Sequence, residues 1–157
     1  MPAELFKIPF TRWVLGTVDK MTKYGYDDFQ DWSQAWLQTY KELGGTSVET
    51  GKKQCPKHAA YALWQLGRIK NTDKPFQNLS LASIYDQYGK NAVYAVLSID
   101  LLSTNQAAQN NAFLWHQVQS LFLSKLHEEP AESQQGAVTV ARILFDEGHI
   151  AKQLSFQ

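Results

Sequence analysis

The chain has 157 residues, of which 44% are apolar and 13% aromatic, and this composition excludes a disordered protein and favours one domain with a hydrophobic core. Fifteen basic residues balance fifteen acidic ones, which argues against a polycation that binds nucleic acid or membranes through overall charge. A single cysteine excludes an intrachain disulfide, and no signal peptide or long apolar run is present. We expect one soluble, cytoplasmic domain over residues 1–157.

Apolar residues recur at helical spacing in six segments, and no segment shows the sustained alternation of a half-buried strand. The first predicted helix starts after Pro9 and stops at Gly25, and Asp27 or Asp28 caps the start of the second. We expect a polar loop over residues 46–54. The whole pattern predicts an all-α protein, a compact bundle of about six helices.

The third predicted helix contains the only cysteine of the chain at its start. It runs from Pro56 to about Leu66, with the proline at the first helical position and Cys55 in the N-cap position before it. Gly67 suits the left-handed conformation that often follows a helix, and Ile69 supplies the apolar residue that folds back on it. These residues predict a helix with a defined start and a defined stop.

Three further helices are predicted in the second half of the chain. One begins between Ser80 and Asn91, and the next carries Trp115 on its apolar stripe. The stretch GAVTVARILF, which starts at Gly136, is rich in β-branched residues and is also compatible with a strand. We assign it to a helix because it matches the third helix in an internal repeat.

Two pairs of segments match each other within the chain. AYALWQLGRI and ARILFDEGHI, which start at Ala60 and Ala141, both end in Gly, then a basic or imidazole residue, then Ile. AWLQT and LWHQV lie upstream of them at a similar offset. The order and spacing predict two pseudo-symmetric helical units, 24–70 and 88–152, within one domain.

The segments CPKHAAYALWQLGRIK, YGKNAVYAVLSIDLL, LWHQV and QQGAVTVARILFDEGHI together resemble a small family of uncharacterised bacterial proteins. In that family a Cys-Pro-Lys helix and a later helix both end in Gly-x-Ile. The resemblance covers roughly Tyr24 to Lys152, so the first helix, with Trp13 and Met21, is an addition to the pattern. It implies a small helical domain of bacterial origin and leaves the function open.

Cys55 is the candidate nucleophile. A helix N-terminus beside lysines lowers the pKa of a thiol, and His58 lies one turn further on, where it can approach the sulfur. No oxyanion motif, resolving cysteine or orienting carboxylate accompanies the pair. A second interpretation is that Cys55 only starts the helix and packs against its neighbours.

Three lysines around the same helix start, Lys52, Lys53 and Lys57, form a candidate anion site. The four histidines have no metal-ligand spacing, and the chain has neither a glycine-rich phosphate loop nor a G-x-S-x-G motif. We therefore predict no metal ion and no cofactor.

Charge is distributed unevenly along the chain. Segment 51–75 has six basic residues and one acidic residue, and segment 127–147 has five acidic residues and one basic residue. The two segments could attract each other within one chain or between two copies, and the alternative interpretation is that both are ordinary solvated surfaces. We predict a non-catalytic helical module that binds another protein or a second copy of itself. Two further hypotheses are an enzyme that uses Cys55 with His58, and a protein that binds an anion or nucleic acid through segment 51–75. Nucleic acid is the less favoured ligand, because no strands of a wing accompany the basic segment.

Overall fold

The computed structural model describes residues 3–104, 110–133 and 136–151. In these ranges the chain forms a short hairpin and eight helices, which confirms the all-α prediction. The elements are β1 (Glu4–Leu5), β2 (Ile8–Pro9), α1 (Phe10–Tyr24), α2 (Phe29–Glu42), α3 (Val48–Gly51), α4 (Gln54–Gln65), α5 (Leu81–Tyr88), α6 (Lys90–Ser103), α7 (Asn111–Leu126) and α8 (Ala137–Asp146).

The described helices exceed the predicted six for two local reasons. The expected loop 46–54 contains α3, a single turn whose start is capped because Ser47 accepts a hydrogen bond from the Thr50 backbone N–H. The predicted fourth helix is divided into α5 and α6 at Gly89, which has φ 88° and ψ −176°. This conformation is accessible essentially to glycine alone, so the chain changes direction there.

The hairpin β1–β2 corrects the expectation that the chain lacks strands. Its two central residues, Phe6 and Lys7, have φ of 55° and 65°. Two successive positive φ values are typical of the tight turns that join antiparallel strands, but Asn and Gly are the residues that usually signal such turns. No local pattern predicts this turn, because neither of its central residues favours the conformation.

Helix α6 lies at the centre of the bundle and contacts α4, α5, α7 and α8. All eight residues of 92–99 are buried. Helices α1 and α2 pack together around a group of aromatic rings in which Trp13 and Trp36 lie 4.4 Å apart between ring centroids. The hydrophobic core thus extends from this aromatic layer to α6 and α8.

The ends of α4 and α8 have the same backbone conformation. Gly67 and Gly148 have φ of 71° and 80°, and each donates a hydrogen bond to the carbonyl three residues before it. The next residues, Arg68 and His149, donate to the carbonyls five residues before them, at 2.8 Å and 2.9 Å. Both helices therefore end in the glycine cap that the sequence predicts.

The two caps meet through an antiparallel bridge between Ile69 and Ile150. Lys70 N–H donates to the His149 carbonyl and Ala151 N–H donates to the Arg68 carbonyl, each at 2.9 Å. An antiparallel bridge relates its two strands by a local two-fold axis. The equivalence of the complete units 24–70 and 88–152 stays a prediction, since residues 105–109, 134–135 and 152 lie outside the described ranges.

Candidate functional site

The helix that carries Cys55 begins earlier than the sequence predicts. Lys53 occupies the N-cap position of α4 without a side-chain capping bond, and Gln54 is the first helical residue. Cys55 is therefore the second residue of the helix and Pro56 the third. The first turn tolerates proline because none of its N–H groups has an acceptor within the helix.

Cys55 is half-buried and lines a pocket of about 390 Å³ between the start of α4 and the N-terminal hairpin. The other lining residues are Leu5, Phe6, Lys53, Gln54, Pro56 and Gly136. None of these described residues is a carboxylate or an imidazole. The described lining residues therefore include no general base that could activate the thiol.

His58 lies against another helix. Its ring stacks on Phe29 of α2, with 4.3 Å between ring centroids and 18° between ring planes. Burial, followed by the charge of Lys57, lowers the pKa of His58, so the imidazole is neutral at pH 7. His58 is not among the residues that line the Cys55 pocket. A catalytic role for the two residues as a pair stays a prediction.

The three lysines of the predicted anion site lie in different surroundings. Lys52 follows α3 and is exposed, and the Lys53 Nζ lies 5.3 Å from the centre of the Phe6 ring. Lys57 is only 4% exposed, and its Nζ lies 5.3 Å from the centre of the Phe29 ring. Burial and then the charge of Lys52 lower the pKa of Lys57. Two of the three lysines are therefore exposed, and the third is buried.

Replacement of Lys57 by methionine is expected to raise the free energy of unfolding at pH 7, because it removes a buried charge and keeps the apolar stem. The pKa of Lys57 is lower in the folded chain than in the unfolded chain, so the unfolded chain binds more protons between the two values. Wild-type stability therefore rises with pH across that window, and the gain from Lys57→Met shrinks toward about pH 10. Urea unfolding at pH 7 and pH 9.5 measures both effects, with exposed Lys53→Met as the control. A greater loss for Lys57→Met than for Lys53→Met would contradict the prediction.

A cleft larger than the Cys55 pocket lies elsewhere, with a volume of about 780 Å³. Its walls come from the loop that follows α4, the start of α5, one side of α6 and the end of α7. Arg68 forms part of the wall and is only 6% exposed. Its Nη2 donates to the Gln77 carbonyl at 3.1 Å, and its guanidinium carbon lies 4.2 Å from the centre of the Phe76 ring. These two contacts fix the orientation of the guanidinium group.

The Arg68 guanidinium has few partners for a buried charge. Its Nε is buried without a hydrogen-bond partner, and the bond to the Gln77 carbonyl is its only side-chain hydrogen bond to a described residue. No described carboxylate lies within 4.0 Å of it. A guanidinium group carries five N–H donors, so most of its donors have no protein acceptor in the described ranges.

Two more charged side chains line the same cleft, Asp100 from α6 and Lys125 from α7. Both keep exposed surface at the cleft. The surrounding atoms raise the pKa of Asp100 by desolvation, and this effect exceeds the lowering by Arg68 and Lys125. The cleft therefore contains a guanidinium and a carboxylate that influence each other's charge without forming a direct ion pair.

Sequence reasoning misses this site. Arg68 stands out there only as one of six basic residues in segment 51–75, and neither Asp100 nor Lys125 belongs to a recognisable pattern. One local signal does exist: Arg68 lies between the cap residue Gly67 and the buried residue Ile69, where a long charged side chain must cross the edge of the core. The contributions of α6 and α7 depend on contacts between segments that are distant in the chain.

The ion pairs in the described ranges do not join the basic segment to the acidic one. Lys74 of segment 51–75 pairs with Asp27, and Glu128 of segment 127–147 pairs with Lys90 at 3.1 Å. No ion pair between described residues therefore supports attraction between the two segments within one chain. Pairing between two copies stays a prediction.

Comparison with protein families matches residues 15–151 to a family of unknown function designated DUF6979. The chain belongs to this family. The family match starts within α1, at Leu15, so it includes Met21 and corrects the view that the first helix is an addition to the pattern. Trp13 precedes the matched residues. Comparison with curated proteins and with solved structures gives no match.

All residues that line the Arg68 cleft lie between Arg68 and Ala151 in the sequence, so all of them fall within the range that matches the family. None of the helices in the described ranges has the length and apolar character needed to cross a membrane. The described residues also contain no group of three or more His, Cys, Asp or Glu side chains placed to hold a metal ion.

Proposed function

We propose that this protein is a non-catalytic binding module whose ligand places an anionic group on Arg68. The observation that carries the proposal is the buried guanidinium, which has one described side-chain hydrogen bond and no described carboxylate within 4.0 Å. Burying an unpaired charge costs several kcal/mol. An anion in the cleft would offset that cost, and a guanidinium fork matches the two oxygens of a carboxylate or a phosphate.

The cleft is suited to a small organic molecule. Its volume of about 780 Å³ lies within the usual range for ligand pockets, roughly 300–1,000 Å³. Phe76, Leu79 and Leu81 add apolar surface to the wall that carries Arg68. The favoured ligand therefore has an apolar part as well as an acidic group. This function corresponds to the anion binding predicted for segment 51–75, but at Arg68 rather than at its lysines.

Arg68→Gln is expected to weaken the binding of a carboxylate such as hexanoate, or of hexyl phosphate, by roughly 10- to 100-fold, because a hydrogen bond to a charged group contributes about 1.5–3 kcal/mol. Calorimetric titration measures the change. Lys70→Gln is the matched control, since Lys70 is two residues away and exposed. Equal affinity in the wild type and in Arg68→Gln, or no binding of either compound, would overturn the proposal.

A second readout is independent of the stability of the Arg68 variant. In the wild type, the ¹⁵N and ¹H resonances of the Arg68 Nε–H group are expected to shift when hexanoate binds, because that donor has no described protein acceptor. The shift should saturate at the same concentration as the calorimetric signal. Binding that leaves these resonances unchanged would place the anion elsewhere on the protein.

Binding of another protein, or of a second copy, is the second candidate function. It is favoured by an exposed aromatic pair, Tyr24 and Tyr26, whose rings stack with 5.5 Å between centroids and are 57% and 46% exposed. Tyrosine is enriched in protein interfaces. Resonance mapping separates the two functions, since a small anion should affect the surroundings of Arg68 and leave Tyr24 and Tyr26 unchanged.

Catalysis and nucleic-acid binding have less support. An enzyme that pairs Cys55 with His58 has to reposition an imidazole that stacks on Phe29. Nucleic-acid binding through segment 51–75 has to use a segment in which Lys57 and Arg68 are buried. A bacterial, cytoplasmic location stays a prediction from the sequence.

We also infer that α4 and α8, with their caps, are equivalent parts of two repeated units. The matching hydrogen bonds at Gly67 and Gly148 and the bridge between Ile69 and Ile150 support this inference. Arg68 and His149 occupy corresponding positions in the two caps. Only the first of these positions presents a permanent charge to the cleft, so the two units would differ in function at this point.

A further inference from the structure

We infer that the ligand of the Arg68 cleft is amphoteric, with a protonated amine that docks on Asp100 as well as an acidic group that docks on Arg68. This inference rests on the proposed function, because it assumes that Arg68 binds the acidic group. It adds a second recognition point and thereby names the class of ligand: a small molecule that carries an acid and an amine on one apolar framework.

The first observation concerns the partners of Asp100. The Asp100 carboxylate lines the cleft and has no described lysine or arginine nitrogen within 4.0 Å. Its side-chain oxygens also accept no hydrogen bond from a described residue, whereas its backbone carbonyl accepts one from Thr104. A carboxylate prefers to be surrounded by donors, and a ligand ammonium group supplies three.

The second observation concerns the electrostatic balance within the cleft. Arg68 and Lys125 both favour the ionised form of Asp100, and yet desolvation by the cleft outweighs them and raises its pKa. The protein's own cations therefore offset the effect of desolvation on Asp100 only in part. A cation closer than either of them would restore the balance, and the open volume of the cleft is the place from which it can approach.

The third observation is that separate elements of the fold position the two charged groups. Arg68 is fixed by the Gln77 carbonyl and the Phe76 ring, whereas Asp100 is attached to the central helix α6. Opposite charges that attract each other but are held apart define a site for a molecule that spans them. The apolar surface of Phe76, Leu79 and Leu81 suits a hydrocarbon framework between the acid and the amine.

The test uses two matched series of compounds. The first contains unbranched ω-amino acids from glycine to 6-aminohexanoate, and the second contains the same acids without the amine, from acetate to hexanoate. Calorimetric titration of each compound is carried out with the wild type, with Asp100→Asn and with Lys70→Gln, a control outside the residues that line the cleft. Asn is nearly isosteric with Asp, and both Asp100 and Lys70 have exposed surface, so neither change disturbs the core.

We expect at least one chain length at which the amino acid binds the wild type about tenfold more tightly than its amine-free partner. In Asp100→Asn this advantage disappears, while the amine-free acid binds as well as before or better. In Lys70→Gln the advantage remains. Together these results identify Asp100 as the acceptor of the amine.

Failures of the two proposals are distinguishable. The inference of an amphoteric ligand is wrong if amine-free acids bind through Arg68 but no amino acid binds more tightly than its amine-free partner. It is also wrong if the tighter binding of the amino acid persists in Asp100→Asn. In both cases the proposed anion-binding function is unaffected. If no acid of either series binds, or if Arg68→Gln binds them all as well as the wild type, the proposed function is wrong. The inference of an amphoteric ligand is then wrong as well, because it rests on the proposed function.

Discussion

Gly67→Ala is expected to destabilise the protein by roughly 3–5 kcal/mol, in the range of the most severe single substitutions, whereas Gly148→Ala costs only about 1–2 kcal/mol. Both glycines have a left-handed backbone, with φ of 71° and 80°. The difference lies in their surroundings. A Cβ atom on Gly67 would lie 2.6 Å from the Phe76 backbone nitrogen and closer still to the Pro75 carbonyl, whereas a Cβ on Gly148 meets nothing within 4 Å.

Urea unfolding followed by tryptophan fluorescence gives both values in one experiment. The loss at Gly148 measures the strain of a left-handed alanine, and the excess at Gly67 measures the close approach of the loop that carries Phe76. Since Phe76 lies against the Arg68 guanidinium, Gly67→Ala should also weaken anion binding in any fraction that still folds. Equal losses at the two glycines would show that the Phe76 loop moves aside without cost.

Trp13→Ala is expected to cost about 3–5 kcal/mol of unfolding free energy. Trp13 is completely buried, and its ring lies near Phe10, Trp36 and Tyr40, at centroid distances of 6.0, 4.4 and 5.0 Å. Its Nε1 also donates to the Trp36 carbonyl at 2.9 Å. The substitution therefore leaves a large cavity between α1 and α2 and removes a buried hydrogen bond.

Phe113→Ala is the control, because Phe113 is 53% exposed and its truncation should change stability by no more than about 0.5 kcal/mol. The comparison bears on the boundary of the domain, since the family match begins at Leu15, just after Trp13. A cost below about 1 kcal/mol for Trp13→Ala, which is near the average for any substitution, would show that the start of α1 is not part of the stable core.

The candidate site shows where sequence reasoning about function fails. Cys55 and His58 are the candidate catalytic residues of the sequence, and they lie one turn apart on α4. In the fold, Cys55 lines a pocket beside the hairpin, whereas the His58 ring stacks on Phe29. The charged residues of the cleft, Arg68, Asp100 and Lys125, come from three distant parts of the chain. None of them stands in a motif, so only their proximity distinguishes them.

Elements that depend on local physics follow from the sequence alone. Apolar spacing located the main helices, Asp28 caps α2 through its bond from the Asp31 N–H, and Gly25 and Gly67 end their helices in left-handed conformations. Such features require only the few residues of one helical turn. Even the ambiguous stretch at 137–146 is a helix, as the repeat with the third helix predicted.

Where these elements meet depends on the assembled fold. Tertiary packing places the hairpin β1–β2 beside the start of α4, and it brings the caps of α4 and α8 together at Ile69 and Ile150. It also buries Arg68 in a cleft shared with Asp100. The burial and charge environment of these side chains depend on residues that are distant in the sequence. Desolvation and charge coupling are therefore properties of the complete structure, and no local pattern of residues specifies them.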